Sequence, residues 1–528
     1  MPNIYLDQSK INKTKDLAQD VANDVHEFVK EHSSVSVERA VLRLYGVNGV
    51  DKNGTPLPNL IVDLLKKKGG PGGTGGNGGL GVGISSHFAS ALLQSKRDAQ
   101  ATAELILDNK IDFGNIHSFS KGDVKAKENE IANEAIALID KSRNIKQEKQ
   151  NRFKVPPTPW RYLIVATGNI YEDRTQAKAA VMAGADIIAV IRSTAQSLLD
   201  YVPYGATTTG FGGTFATQEN FKIMRAALDE ACEEFGRYIR LVNYSSGLCM
   251  AEIASCAALE NLDMLLNDSM YGILFRDINA KRTFIDQYFS RLICARSKII
   301  INTGEDNYLT TADAIENAYT VTASQLINEA LAKKSLLTED LMGLGHAYEI
   351  NPKIENAFLY ELAHAELARA LFPHAPLKYM PPTKYKSTDI FYSHSLDTMF
   401  NLTSVTTHQG IHLAGILTEA IHTPLMQDRY KALASINYVF NVAKNFGDEI
   451  EYKKDGFIVK RATQVLDDVL VFLEKVKDIG LMNAIAEGAF ADVKRLPTSG
   501  KGLDGVFKKE LDYSNPIMDK IEMEGVIK

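Results

Sequence analysis

Between Trp160 and about Gly415, short runs of continuous aliphatic and β-branched residues alternate with longer amphipathic stretches, and few architectures accept that alternation. The runs are RYLIVATG (161–168), ADIIAVIR (185–192), YIRLVNYSSG (238–247), DMLLND (263–268), SKIIINTG (297–304), HAYEIN (346–351) and HQGIHLAG (408–415). A strand that is apolar on both sides must be covered on both faces, whereas a sheet with one wet face would alternate apolar and polar residues. The stretches between them, such as QENFKIMRAALDEACEEFG (218–236) and TADAIENAYTVTASQLINEALAKK (311–334), space their apolar residues three and four apart and supply helical crossovers. The pattern predicts an α/β protein with a parallel βα array, closed as a (β/α)8 TIM-type barrel. Seven strands are marked. The eighth is expected within 320–345 or 375–405, with an open sheet as the alternative.

The flanks read differently. Residues 11–45 and 87–150 have helical periodicity, 423–446 reads as a helix that closes the barrel, and 450–528 is a mostly helical tail rich in Lys, Asp and Glu. These divide the chain into a helical N-terminal extension (1–150), a barrel (151–448) and a C-terminal accessory segment (449–528). Within the extension, KKKGGPGGTGGNGGLGVGISSH (Lys66 to His87) holds too many glycines for helix or strand and must be loop. It follows no strand at dinucleotide-fingerprint spacing and contains no G-x-x-x-x-G-K-[ST] element, so both nucleotide readings fail. A surface loop or hinge is favoured over a lid.

A net charge of −6 offers nucleic acid no electrostatic footprint. The opening MPNIYLDQSKINKTKD lacks a leader's apolar core, and no run reaches the roughly 18 apolar residues of a membrane span, so a cytoplasmic protein is expected. Cys232, Cys249, Cys256 and Cys294 form no C-x-x-C pair and are expected to be buried thiols.

In a βα-barrel the strand ends converge on the mouth, so polar residues that directly follow apolar strands are the candidates for chemistry. The second run ends in Arg192, with Ser193, Thr194, Gln196 and Ser197 after it; the third ends in Ser245 and Ser246; the fourth leads to Tyr271 and Arg276; the fifth to Asp306 and Asn307. Arg192, Arg276, Ser197 and the loop YGATTTGFGGTF (204–215) form a candidate phosphate cradle, because guanidinium forks match phosphate oxygens and glycine amides approach closely. His408 and His412, four apart, would suit a metal on a helix, but their segment reads as a strand and no third ligand is evident, which favours a structural role.

With these residues in view, DIIAVIRSTAQSLLDYVPYGATTTGFGGTFATQENFKIMR (186–225), RLVNYSSGLCMAEIA (240–254), NDSMYGILFRDIN (267–279), INTGEDNY (301–308) and TPLMQDRY (423–430) resemble the large subunits of the lysine 5,6-aminomutase family, over nearly the whole chain. The D-ornithine aminomutases are the nearest competitor. The resemblance implies a TIM-type barrel that binds pyridoxal phosphate and works with adenosylcobalamin in a radical 1,2-migration of the terminal amino group of D-lysine or L-β-lysine, in lysine fermentation. It implies that Arg192, Ser197 and Arg276 hold the phosphate, Ser246 meets the pyridine nitrogen and Tyr271 stacks on the ring. Asp306 and Lys378 would take the substrate's α-ammonium and carboxylate, Asn307 would lie near the phenolic oxygen, Glu419 near the adenosyl group, and Glu172 near substrate. A neutral Ser at the ring nitrogen weakens the electron sink, which suits radical chemistry.

The resemblance also implies a partner. The cobalamin signature D-x-H-x-x-G is absent, since Asp24 to His26 continues as Glu27–Phe28–Val29 in a helical stretch. That motif and the Schiff-base lysine are expected on a smaller β subunit with a Rossmann-like domain, in an α2β2 assembly, so this chain alone should be inactive. The rivals are a D-ornithine 4,5-aminomutase-like enzyme, a self-contained pyridoxal phosphate enzyme using Lys378, and a non-catalytic scaffold.

Overall fold

A computed structural model describes residues 3–68, 79–111, 113, 119–190, 196–304, 314–346 and 348–526. Eight parallel strand positions form a ring: β1 (Trp160–Ile164), β2 (Ile187–Ala189), β3 (Arg240–Tyr244), β4 (Met264–Leu266), β5 (Ile300–Asn302), β6 in two pieces (Met342–Gly343 and Gly345–His346), β7 (Lys378–Tyr379) and β8 (Ile411–Leu413). Each strand pairs with the next in sequence, and β8 returns to β1 with Ile411 opposite Trp160. Closure passes through β6, whose first piece pairs with β5 (Met342 opposite Ile301) and whose second pairs with β7 (Gly345 opposite Lys378). Both glycines are required by that crossing. A Cβ on Gly343 would lie 2.6 Å from Asn302 Oδ1, and one on Gly345 would lie 2.4 Å from the Thr303 carbonyl oxygen.

The helices between the strands are α1 (Ile170–Met182), α2 (Gln218–Phe235), α3 (Met250–Leu259), α4 (Ala280–Ser297), α5 (Ala318–Lys334), α6 (Ala357–Leu371) and α7 (Ile390–Thr406), with α8 (Met426–Val442) after β8. Their starts are written in side chains: Asn169, Thr217, Asn279 and Asp389 accept backbone N–H bonds from the first turns of α1, α2, α4 and α7. The continuous apolar runs are explained by two cores. Tyr162, Ile187, Ala189, Val242, Met264, Ile411 and Leu413 fill the barrel interior, while the alternate residues Leu163, Ile188, Leu241, Leu265 and Ile301 pack outward against the helices.

One expectation needs correction, and the missing strand falls in one of its two expected windows. The sixth strand lies at 342–346 rather than 346–351, because the glycines that read as a break are the strand itself, threaded where only a bare backbone fits. The eighth is Lys378–Tyr379, inside 375–405; two residues after Pro376 carry too little pattern to be read as a strand. The sheet is therefore a closed barrel rather than an open one.

The N-terminal stretch splits into helices Gln8–Glu31 and Val35–Leu44 around His32–Ser34, which pairs antiparallel with Val506–Lys508 near the other end of the chain. Gln8–Glu31 packs on α5 and on the tail helix Phe457–Ile479, with ion pairs Lys10–Asp467 (2.5 Å) and Lys477–Asp20 (2.6 Å) at that contact. Both additions thus brace one side of the barrel. Of the glycine-rich stretch, 69–78 lies outside the described residues, while Leu80, Gly81 and Val82 are buried. All four cysteines are buried and unpaired. Among the described residues no helix is long and apolar enough to cross a membrane.

His408 and His412 diverge. His408 turns toward Asp448 (3.7 Å), whereas His412 is fully buried on β8, hydrogen-bonded through Nδ1 to Ser404 Oγ (2.7 Å) and edge-on to Phe440. Burial, with the Arg161 cation adding to it, lowers the His412 pKa from 6.5 to about 3. Between those values the unfolded chain takes up a proton that the folded chain refuses, so the stability His412 contributes is complete above pH 6.5 and declines as pH falls. His412→Gln is expected to reduce the loss of stability between pH 7 and pH 5 by about 2 kcal/mol, read from urea midpoints; an unchanged acid slope would refute this.

Candidate active site

A cavity of about 940 Å³ opens at the C-terminal ends of the strands. Ser246 follows β3, Tyr271 and Arg276 follow β4, Lys378 begins β7, and Glu419 follows β8; all five line this one space. Residues spread over more than 170 positions meet because a barrel delivers every strand end to the same mouth.

The loop after β4 places two of them. Asp268 accepts the Met270 N–H (3.1 Å) and, through its other oxygen, the Gly304 N–H (2.9 Å), tying the end of β4 to the end of β5. The chain then makes a single wide π-type turn, Tyr271–Phe275, which brings Tyr271 and Arg276 to one side. Arg276 Nη2 donates to Tyr271 Oη (3.2 Å), and its guanidinium lies 4.7 Å from the Phe275 ring centre. Its Nε is buried and has no hydrogen-bond acceptor among the described residues. A buried guanidinium N–H without an acceptor is costly, so it marks a place where an anionic ligand belongs.

Ser246 sits between β3 and β4. Its hydroxyl accepts the Asp268 N–H (2.8 Å) and donates to the Leu266 carbonyl over a long 3.3 Å. That weak donation can be surrendered to a ring nitrogen at small cost. Ser197 lies behind this wall: its carbonyl accepts the Leu248 N–H (3.1 Å), and a Cβ on Gly247 would come within 2.7 Å of its Cα. It is thus next to Ser246 through the backbone, but it does not line the cavity.

Lys378 is buried at the cavity wall, with its Cε lying 3.1 Å from where a Gly345 Cβ would stand. Its ammonium has no hydrogen-bond or ion-pair partner among the described residues. Glu419 curls back on its own turn: Oε1 accepts the Ile416 N–H (3.2 Å) and Oε2 accepts from Lys386 Nζ (3.1 Å). Lys386 was not legible as a site residue. It sits in the polar segment KYKSTD (384–389), and only the fold buries it against Asp397 (2.9 Å).

Other candidates stand elsewhere. Glu172 is exposed in the first turn of α1, hydrogen-bonded to Gln176 (2.9 Å), and does not reach the cavity. The 204–215 loop also falls short of it, correcting the expected cradle: Gly210 N donates to the Gly168 carbonyl (2.7 Å) and Thr214 Oγ1 to Asp173, so the loop packs on the β1–α1 turn. Arg192, Asp306 and Asn307 lie outside the described residues.

Taken together, the described walls present Arg276, Lys378, Lys384, Lys386 and Arg429 against one carboxylate, Glu419. Such a surplus of cations favours an anionic occupant, and Arg276 beside a tyrosine face suits a flat phosphorylated ring. Among the described residues no group of three or more His, Cys, Asp or Glu could hold a metal ion.

Comparison with known proteins gives this cavity its context. The family model described as "D-Lysine 5,6-aminomutase TIM-barrel domain of alpha subunit" matches residues 4–520. The chain is 50% identical over 516 residues to the lysine 5,6-aminomutase alpha subunit of Acetoanaerobium sticklandii, covering 98% of each. It is 49% identical over 519 residues to that of Fusobacterium nucleatum, again covering 98% of each. The D-ornithine 4,5-aminomutase subunit beta of A. sticklandii is 25% identical over 366 residues, 67% of this chain and 49% of that protein. An agreement of this extent, on a barrel whose strand-end residues converge as described, leaves one conclusion: the chain belongs to the lysine 5,6-aminomutase alpha-subunit family.

Proposed function

We propose that this chain is the large subunit of a pyridoxal phosphate- and adenosylcobalamin-dependent isomerase that shifts the terminal amino group of D-lysine or L-β-lysine between carbons 6 and 5, in anaerobic lysine breakdown in the cytoplasm. The observation that carries the reading is the pair of unsatisfied cationic donors in one cavity, Arg276 Nε and the Lys378 ammonium, each without a partner among the described residues. They call for two anionic groups, a phosphate and a carboxylate, within one mouth.

The roles follow from side-chain chemistry. Arg276, with Arg192, binds the cofactor phosphate, and Ser197, which stands behind the wall at Gly247, joins them only if that wall moves; Tyr271 presents a flat face; Ser246 donates a hydrogen bond to the ring nitrogen without protonating it. Lys378 and Asp306 take the two charged ends of the amino acid's α-carbon, Asn307 orients the phenolic oxygen, and Glu419 meets the adenosyl sugar. When bound, the two cofactors supply the radical and a conjugated system to delocalise it; the chain positions the reactants and excludes water. The cobalt ligand and Schiff-base lysine belong to a smaller β subunit with a Rossmann-like domain, in an α2β2 complex. Residues 151–448 are the catalytic barrel, and 1–150 with 449–528 brace it and offer surface to the partner.

Co-expression with a small subunit, followed by both cofactors and a panel of D-lysine, L-β-lysine and D-ornithine, tests this. Turnover of the lysines is expected; turnover of ornithine alone would transfer the chain to the D-ornithine 4,5-type reaction. Borohydride, which fixes an imine as an amine, should label the small subunit and leave this chain unlabelled. Label on Lys378 in the isolated chain would replace the reading with a self-contained enzyme.

A further inference from the structure

The turn after β8 is held from beneath by an ion pair that none of the roles above requires. Lys386 arrives from the loop after β7, Asp397 from the body of α7, and both side chains are almost wholly enclosed. The Lys386 ammonium pairs with Asp397 Oδ1 (2.9 Å), donates to the Ile416 carbonyl (3.1 Å) and donates to Glu419 Oε2 (3.1 Å). The backbone rests directly on this pair: a Cβ on Gly415 would fall 2.2 Å from Asp397 Oδ1 and 2.9 Å from Lys386 Nζ. Glu419 is further locked to its own turn, donating its N–H to the Ile416 carbonyl (3.2 Å) while its Oε1 accepts the Ile416 N–H (3.2 Å).

Enclosing a lysine is expensive, and a structural turn of four residues does not need one. What the arrangement achieves is to fix a carboxylate, 31% exposed, at the rim of the cavity. Each of its oxygens uses one lone pair inward and keeps another for a ligand. A carboxylate so held is matched to neighbouring hydroxyls on a sugar, which donate in parallel.

We propose that Lys386, backed by Asp397, is a positioning residue that holds Glu419 to receive the ribose hydroxyls of the adenosyl group. The inference rests on the function proposed above, and deepens it by naming what makes the rim selective for adenosylcobalamin over a cobalamin that lacks the sugar. Lys386 itself touches no ligand. Without it, Oε2 loses its tether, Glu419 is held only by the 3.2 Å bond from the Ile416 N–H and swings toward solvent, and the loss falls on the adenosyl moiety alone.

The test compares the dissociation constants of adenosylcobalamin and hydroxocobalamin for the complex with the small subunit, by spectroscopic titration. Lys386→Met is paired with the double variant Lys386→Met/Asp397→Asn, which leaves no buried carboxylate unpaired, and with Lys386→Arg, which restores a donor. Circular dichroism and thermal melting check the fold of each. Both methionine variants are expected to weaken adenosylcobalamin about tenfold while hydroxocobalamin changes less than twofold, with partial recovery in Lys386→Arg and the same selective loss in Glu419→Gln. A selective loss in Glu419→Gln without one in the Lys386 variants would overturn the proposal and leave Glu419 its role. No selective loss in Glu419→Gln would overturn both. Equal weakening of the two cobalamins would reduce Lys386 to a structural part, and a wild-type complex that binds neither would sink the function proposed above.

Discussion

Replacing Arg276 with methionine is expected to weaken pyridoxal phosphate binding by roughly 10- to 100-fold, the worth of one charge-assisted hydrogen bond to a phosphate. The geometry leaves little else for this side chain to do. It makes no ion pair among the described residues; its contacts are the Tyr271 hydroxyl and the Phe275 ring, and its Nε waits buried without an acceptor. Methionine keeps most of the packing on Phe275 and removes every donor, so the fold should survive. Arg276→Lys should recover only part of the loss, since an ammonium keeps the charge and forfeits the fork. Equilibrium dialysis of the complex with pyridoxal phosphate and with pyridoxal separates the causes. The variant should lose affinity for the first and not for the second, and a parallel loss of both would place Arg276 away from the phosphate.

Much of this cavity was legible in the sequence because a parallel barrel converts chain order into spatial order. Once the apolar runs are read as strands, the polar residues that end them must share the mouth, and Ser246, Tyr271 and Arg276 do so; Lys378 and Glu419, which line the same cavity, were named only by the family resemblance. What could not be read was whatever depends on the path of a loop. Glu172 also follows a strand, yet the Asn169 cap starts α1 immediately and carries it away from the axis. The 204–215 loop was read as a cradle from its composition, but Gly168 and Gly210 dock it on the β1–α1 turn. Lys386 escaped notice for the opposite reason. Its segment is polar on every side, and its burial depends on Asp397 and Glu419, whose approach no local spacing announces. The same holds for β6, where the glycines that permit a crowded crossing look in sequence like the end of a strand.

Lys378→Met should separate function from stability, with the two moving in opposite directions. The Lys378 side chain lies buried on β7 with its Cε over Gly345 and its ammonium facing the cavity, where no described carboxylate or carbonyl meets it. A charge set on a buried strand without a counter-ion opposes folding even where its tip faces a cavity, so an isosteric apolar side chain relieves the chain of about 1 kcal/mol and raises the melting temperature of the unliganded protein. The same change deprives the substrate carboxylate of its partner. Truncating one member of an enclosed, hydrogen-bonded charge pair costs roughly 2–5 kcal/mol, so KM for D-lysine should rise by at least ~30-fold while kcat, set by reacting groups at the far end of the substrate, falls much less. Lysine carboxamide supplies the discriminating control, because it lacks the charge in question: the wild type should bind it far more weakly than lysine, and the variant should treat the two alike. If the melting temperature drops and KM does not move, Lys378 is a strut of the barrel, and the substrate carboxylate must find its cation in Lys384 or Arg429, which line the same cavity.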